Sequence, residues 1–465
     1  MSSRDHESEL PTVLQRRHTD EYAAPAYTDA DRRVIARLES SSPEAADRVG
    51  RSLAAYSASR LGTAAGLRAI NEEWGSEFYA VPPEATTDTV AADEALGSSD
   101  PVIDVQTHYI ADRPECSVYF DVLEFYRTIA PRWWRGIDSL TAFNLAEYLR
   151  CVFVESETAV AVLSSAPGTS PSRMLFNDEL AGTRELLERV GQSGRLLNHA
   201  VVHPNDPREL DEMERWRDAY HPSGWKVYTL GHTSRDGWID GWMLDDEDSG
   251  VPFLERCRDL DVRLVCAHKG ISFLAPTGSP RDIGPVAAAF TDIDFLVYHS
   301  AYEIPDGENA EEGPYSDDTA DVGTNRLVTT LRASNLRPGS NVYAELGTTW
   351  FSLIRRPAEA AHVLGKLLSA VGEDNVIWGT DSIWYGPSQP AIDAFRSFQI
   401  PEEYCEQYGY PRLTREVKEK ILSRNAARVY GIDLDAARRA REHEDLAWVE
   451  LAREAYLERG VPSAA

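Results

Sequence analysis

An excess of acidic side chains, 76 Asp and Glu against 47 Lys and Arg in 465 residues, gives a formal net charge of −29 and sets the chain as a whole against nucleic acid and anionic membrane. Hydrophobic residues at 42% suffice for a packed core, yet no apolar run approaches the ~20 residues of a bilayer span, and the polar, acidic opening residues lack the apolar centre of a secretory signal. Five cysteines, Cys116, Cys151, Cys257, Cys266 and Cys405, are an odd number without CxxC spacing and point to reduced thiols, so the expected setting is cytoplasmic.

Residues 1–25 are polar and Pro-bearing, and read as a flexible arm. Thr28-Asp-Ala-Asp31 resembles a helix start, with Val34, Ile35 and Leu38 at helical spacing, and Leu53 to Ile70 forms a second helical pattern. Together they make residues 1–100 a flexible arm and helical extension. After Gly97-Ser-Ser-Asp-Pro101 the pattern changes. Apolar β-like runs at 102–106, 158–164, 198–203, 225–230, 262–267, 294–298, 341–346 and 375–380 alternate with helical stretches at 141–154, 180–192, 208–219, 251–259, 322–334, 358–371 and 415–430. Eight alternations without an antiparallel hairpin signal predict an α/β fold, a (β/α)₈ barrel over 101–433, followed by a C-terminal helix in 434–465.

The first run, Val102-Ile-Asp-Val-Gln106-Thr-His108, ends in two polar side chains at alternate positions, which share a face in a strand. Four later runs end alike: Leu264-Val-Cys-Ala-His268, Phe295-Leu-Val-Tyr-His299, Val342-Tyr-Ala-Glu345 and Val376-Ile-Trp-Gly-Thr-Asp381. One strand-end His is more often structural than functional. Potential ligands at five strand ends that share one barrel mouth, where such folds place their active sites, predict a metal site. Glu303, four residues beyond His299, joins it if the chain turns helical after the strand. Two loops flank the mouth: the acidic 305–321, as a solvated rim or a lid, and Tyr109 to Trp134, whose Phe125, Tyr126, Trp133 and Trp134 line a pocket or fill core. Lys226, His203 and His232 read as structural or supporting residues.

Asp104-x-x-x-His108, Cys266-Ala-His268-Lys269-Gly270, Val297-Tyr-His299, Trp378-Gly-Thr-Asp381 and Asn425-Ala-Ala-Arg428-Val-Tyr430-Gly431-Ile432 together resemble the amidohydrolase-related barrels. That resemblance implies ligand or catalytic roles for His108, His268, His299 and Asp381. Those enzymes usually open with His-x-His, where this chain has Gln106-Thr-His108. A Gln carbonyl is a harder, weaker donor than imidazole, and with Glu303 and Glu345 the site becomes oxygen-rich, which suits iron. The altered pattern resembles a smaller group of barrel-type nonheme diiron monooxygenases, a member of which hydroxylates a diterpenoid in antibiotic biosynthesis. It implies two Fe ions held by Gln106, His108, His268, His299, Glu303, Glu345 and Asp381, with His299, Asp381 and Glu303 catalytic. It also implies dioxygen, an external reductant and an apolar, coenzyme A-linked substrate, and leaves room for a homodimer. The alternative is a zinc- or manganese-dependent hydrolase or decarboxylase using the same residues, with His299 as general base and Asp381 holding a water.

Overall fold

Strands buried on both faces by surrounding helices need nearly continuous apolar runs, and the eight runs form the staves of a closed parallel barrel. The computed structural model describes residues 10–17, 19, 24–98, 100–116, 143–168, 171, 173–234, 237–272, 274–303, 311–442 and 446. We number the barrel strands β1 (Val102–Thr107), β2 (Thr158–Leu163), β3 in two pieces (Leu196–Asn198 and Ala200–Val202), β4 (Trp225–Tyr228), β5 (Leu264–His268), β6 (Asp294–Tyr298), β7 (Val342–Glu345) and β8 (Val376–Ile377). Neighbours in this order pair in parallel. The β3 break lies at His199, whose N–H turns to Leu163 O at 3.0 Å while Ala200 N–H turns to Gly224 O at 3.1 Å. Between β8 and β1 the ring closes through Val105 N–H to Trp378 O (3.2 Å) and Asp381 N–H to Gln106 O (2.8 Å). The fold is thus the expected (β/α)₈ barrel.

Side chains alternate between two cores, as the strand period requires. Val102, Val202, Trp225, Val227, Val265, Val297, Val342 and Val376 face the helical shell. Ile103, Val105, Val160, Leu264, Cys266, Leu296, Tyr298 and Ile377 fill the interior, each fully buried aliphatic side chain contributing roughly 1.5–3 kcal/mol. Two polar groups in this interior are accommodated by partners. Tyr298 donates to Val105 O at 2.7 Å, and the Lys226 ammonium lies 3.4 Å from the centre of the Tyr298 ring, a cation–π contact.

The helix Asp29–Arg48 begins where expected, because Thr28 and Asp31 cap each other's backbone N–H groups. The preceding segment differs from the flexible arm read in the sequence. Leu10, Val13 and Leu14 are buried, and Tyr27 donates its hydroxyl to Leu14 O at 3.0 Å, so apolar burial orders residues 10–17. An antiparallel hairpin, His232–Ser234 with Gly237–Ile239, lies outside the barrel strands and corrects the expectation of none. The acidic loop is described from 311, where Glu312 is buried against Lys366 instead of rimming the mouth. The aromatic cluster of Phe125, Tyr126, Trp133 and Trp134 lies outside the described residues, as does most of 443–465 beyond the helix Leu434–Glu442. Four of the cysteines are buried and Cys405 partly so, all as free thiols. No helix among the described residues is long and apolar enough to cross a membrane.

Candidate active site at the strand ends

Asp381, just past β8, gathers the site. Its Oδ1 lies 3.1 Å from His108 Nε2 and accepts the Gln106 amide at 2.9 Å. Its Oδ2 accepts the Thr348 hydroxyl, which lies 2.6 Å from the Tyr385 hydroxyl. Since Thr348 donates to the carboxylate, Tyr385 must donate to Thr348, giving a two-step relay onto Asp381. Burial raises the Asp381 pKa, but His108, His299 and Thr348 outweigh it and hold the carboxyl below its usual range.

His299 is held in a strained turn. His299, Ser300 and Ala301 have φ of 62°, 51° and 61°, a left-handed run that costs a non-glycine residue roughly 1–2 kcal/mol each. Polar contacts offset the cost: Ser300 Oγ donates to Glu345 O at 2.6 Å, Thr349 Oγ1 to His299 O at 2.9 Å, and Arg326 to Ala301 O at 2.8 Å. His299 Nδ1 lies 2.8 Å from Gly347 O. A carbonyl only accepts, so Nδ1 bears the proton and Nε2 presents its lone pair to the site. Burial lowers the His299 pKa to about 4 against the opposing charge of Asp381. His268, at the end of β5, meets His299 edge to face at 4.7 Å and stacks on Tyr228 at 4.9 Å. Burial, then His299 and Lys226, push its pKa well down.

Glu345 and Glu303 have protein partners in this structure. Glu345 is wholly buried and accepts two backbone N–H groups, Gly347 at 2.5 Å on Oε1 and His299 at 3.1 Å on Oε2. It clips the ends of β6 and β7 together. Burial raises its pKa to about 8, the two N–H groups opposing. Glycines make room for it: a Cβ on Gly379 would stand 1.9 Å from Glu345 Oε1, and one on Gly347 2.1 Å from Gln106 Oε1. Glu303 is paired with Arg326 at 3.1 Å and accepts Ser272 N–H at 3.1 Å. The helical continuation that would have brought it to His299 is replaced by the left-handed turn.

Two further buried polar residues are held by ion pairs. Lys269 is buried in an ion pair with Asp282 at 2.8 Å, tying the loops after β4 and β5, since Asp282 also accepts Leu244 N–H at 2.7 Å. His203 is held between Glu209 (2.8 Å) and Gly168 N–H (2.9 Å). Thr348, Tyr385 and Gly347 escaped the sequence reading; the signal was the Gly347-Thr348-Thr349 that follows the strand-end Glu345.

The polar side chains gathered here include donors of the kind that divalent ions take. A 3.1 Å separation between His108 Nε2 and Asp381 Oδ1 matches two ligands sharing a metal at bonds of about 2.0–2.2 Å. His268 and His299 supply further imidazoles, and mixed nitrogen and carboxylate donors suit zinc or manganese. Among the described residues no group of three or more His, Cys, Asp and Glu side chains is already disposed to hold a metal ion.

Residues 103–432 match the model of the amidohydrolase family. No curated protein matches the chain. Among solved structures, a dihydroxybenzoic acid decarboxylase from Polaromonas sp. JS666 with bound manganese and 2-nitroresorcinol is 15% identical, covering 72% of this chain and 97% of its own, at a TM-score of 0.43. A 5-carboxyvanillate decarboxylase from Novosphingobium aromaticivorans DSM 12444 with manganese is 14% identical, covering 71% and 96%, at 0.42. A TIM-barrel protein from Bordetella bronchiseptica is 15% identical, covering 73% and 99%, at 0.45.

The diiron monooxygenase expectation is therefore corrected. The family matched over 103–432 is the amidohydrolase family, and the two carboxylates invoked for a second iron are engaged elsewhere, Glu303 with Arg326 and Glu345 with backbone N–H groups. Without them the case for two Fe ions falls, and with it the case for dioxygen, an external reductant and a coenzyme A-linked substrate.

Proposed function

Because the chain belongs to the amidohydrolase family, we propose that it is a zinc- or manganese-dependent enzyme that hydrolyses or decarboxylates a small-molecule substrate at the barrel mouth. The observation that supports this best is the His108–Asp381 pair at 3.1 Å, next to a His299 whose Nε2 lone pair is turned toward Asp381 and Gln106. His108, His268 and Asp381 would hold the ion. When bound, it supplies a Lewis acid for a carbonyl or carboxylate oxygen and lowers the pKa of a water.

The protein's own residues do the rest. His299 Nε2 accepts a proton and passes it on: in hydrolysis from the attacking water to the leaving group, in decarboxylation from a solvent water to the substrate carbon, which keeps the electron pair of the bond broken as carbon dioxide leaves. As the imidazolium forms, Gly347 O steadies the Nδ1 proton. The Tyr385–Thr348 relay fixes the Asp381 carboxylate, and Tyr228 fixes the plane of His268. These groups are buried, so little water competes for them and each hydrogen bond gains strength.

The test is metal-stripped protein reloaded with zinc or manganese and assayed under argon on small carboxylic acids, amides and lactones, with carbon dioxide release and acid release read separately. Turnover restored by metal is expected. Turnover that survives complete chelation ends this reading.

A further inference from the structure

Gln106 stands where related enzymes usually carry the first His of the opening pair, and its surroundings show what the amide does. Its Nε2 lies 2.9 Å from Asp381 Oδ1 and 3.4 Å from His299 Nε2. Asp381 accepts the Thr348 hydroxyl on its other oxygen, and His299 Nε2 is a lone pair, because Nδ1–H is committed to Gly347 O at 2.8 Å. Both neighbours are acceptors. An amide has two N–H protons on one nitrogen and one carbonyl oxygen, so only the nitrogen can satisfy both; the reverse orientation would set oxygen against a carboxylate and a lone pair. The oxygen is turned the other way. Gln106 Oε1 is buried without a hydrogen-bond partner among the described residues, at the surface of Gly347, where a Cβ would stand only 2.1 Å from it.

We propose that Gln106 is a positioning residue, not a metal ligand: its NH₂ group donates to Asp381 and makes only a long contact, 3.4 Å, to His299 Nε2, which gives way when the base takes its proton, so the amide sets the carboxylate beside the base. The first position of the opening motif would then no longer help to hold the ion, leaving that to His108, His268 and Asp381. The amide offers two partial positive charges to a carboxylate and a base at a fixed spacing. It therefore does for this pair part of what a cation does, without a net charge. This rests on the metal-dependent reading above.

Two measurements on isosteric variants test it. In the first, cobalt(II) is titrated into metal-stripped wild type, Q106L and H108A, and the visible bands, which report coordination, are recorded. The expected result is that Q106L still binds cobalt(II) with wild-type stoichiometry and an affinity within about tenfold of wild type, while H108A loses binding; affinity lost in Q106L as in H108A would make Gln106 a ligand and overturn the proposal. In the second, wild type and Q106E are melted at neutral pH in chelator. Glu keeps the oxygen and the shape but removes the NH₂, facing one carboxylate with another, so Q106E should melt several degrees lower and recover as the pH falls. Coincident melts would show that the amide protons are not used. Should wild type bind no cobalt(II), the metal-dependent reading fails, while the melts still decide the role of the amide.

Discussion

Two buried polar clusters in this molecule invite comparison. Against the outside of the barrel, Lys366 pairs with Glu312 and donates to Gly313 O at 2.8 Å and Asn325 Oδ1 at 2.7 Å, while Glu312 also accepts Thr324 N–H at 3.0 Å. Each ammonium proton has a partner. At the strand ends, by contrast, His299, Thr348 and Asp381 all have positive φ, and Gln106 Oε1 and His108 Nδ1 are buried without a hydrogen-bond partner among the described residues. Burial is similar in the two. A cluster that serves the fold closes its hydrogen bonds on regular backbone, whereas this one holds strained backbone and leaves atoms to be satisfied from outside, as expected of a place where something binds.

The contrast can be broken from either side. The largest effect should come from His299→Asn, which removes the proton acceptor: kcat should fall by about 10²–10⁴ with the melting temperature nearly kept, measured by steady-state kinetics and calorimetry on the same sample. Lys366→Met should do the reverse. An unpaired buried Glu312 should cost about 3–5 kcal/mol of stability in denaturant titrations, while kcat per folded molecule stays within a factor of two or so of wild type, since Lys366 lies outside the site.

Glu345→Gln belongs to both sides. One of its two acceptor oxygens becomes a donor facing an N–H, for a loss of about 1–3 kcal/mol, and kcat should fall because the His299 turn loosens. It also has a pH signature. Burial lifts the Glu345 pKa from 4.5 to about 8, so between those values the native state keeps a proton that the unfolded chain has lost, and stability falls as pH rises through that window. Melting of metal-free protein should show this slope, and the Gln variant should flatten it; an unchanged slope would mean that another group titrates there. The smallest effect should be Tyr385→Phe, which removes one hydrogen bond, about 1 kcal/mol, and lowers kcat severalfold with KM unchanged.

The barrel was legible because a strand covered on both faces must be apolar throughout, and runs such as Thr158–Leu163, all buried, stand out without any alignment. Strand-end residues such as His268 stand out for the same reason, following directly on such a run. The turn before Glu303 was not legible, because the i,i+4 relation presumes a helix and nothing in His299-Ser-Ala announces three residues with positive φ. The hairpin was missed although its Asp236-Gly237 is a turn signal, because its paired segments, His232–Ser234 and Gly237–Ile239, are too short to show alternation. Glu345 was placed correctly at a strand end, yet its partners are backbone N–H groups, which no sequence pattern displays.

The glycine pair has an evolutionary side. With a Cβ on Gly347 colliding with Gln106 Oε1, and one on Gly379 falling 3.0 Å from Gln106 Cβ and 1.9 Å from Glu345 Oε1, residues 106, 345, 347 and 379 share one volume and cannot drift independently. Replacements at these positions should be strongly epistatic: a wider side chain at 106 or any side chain at 347 should be tolerated only with a compensating change in the others. A route from this site back to an imidazole at 106 therefore passes through paired changes, and a library varying the four positions jointly would reveal folds and activities that single-site scanning would miss.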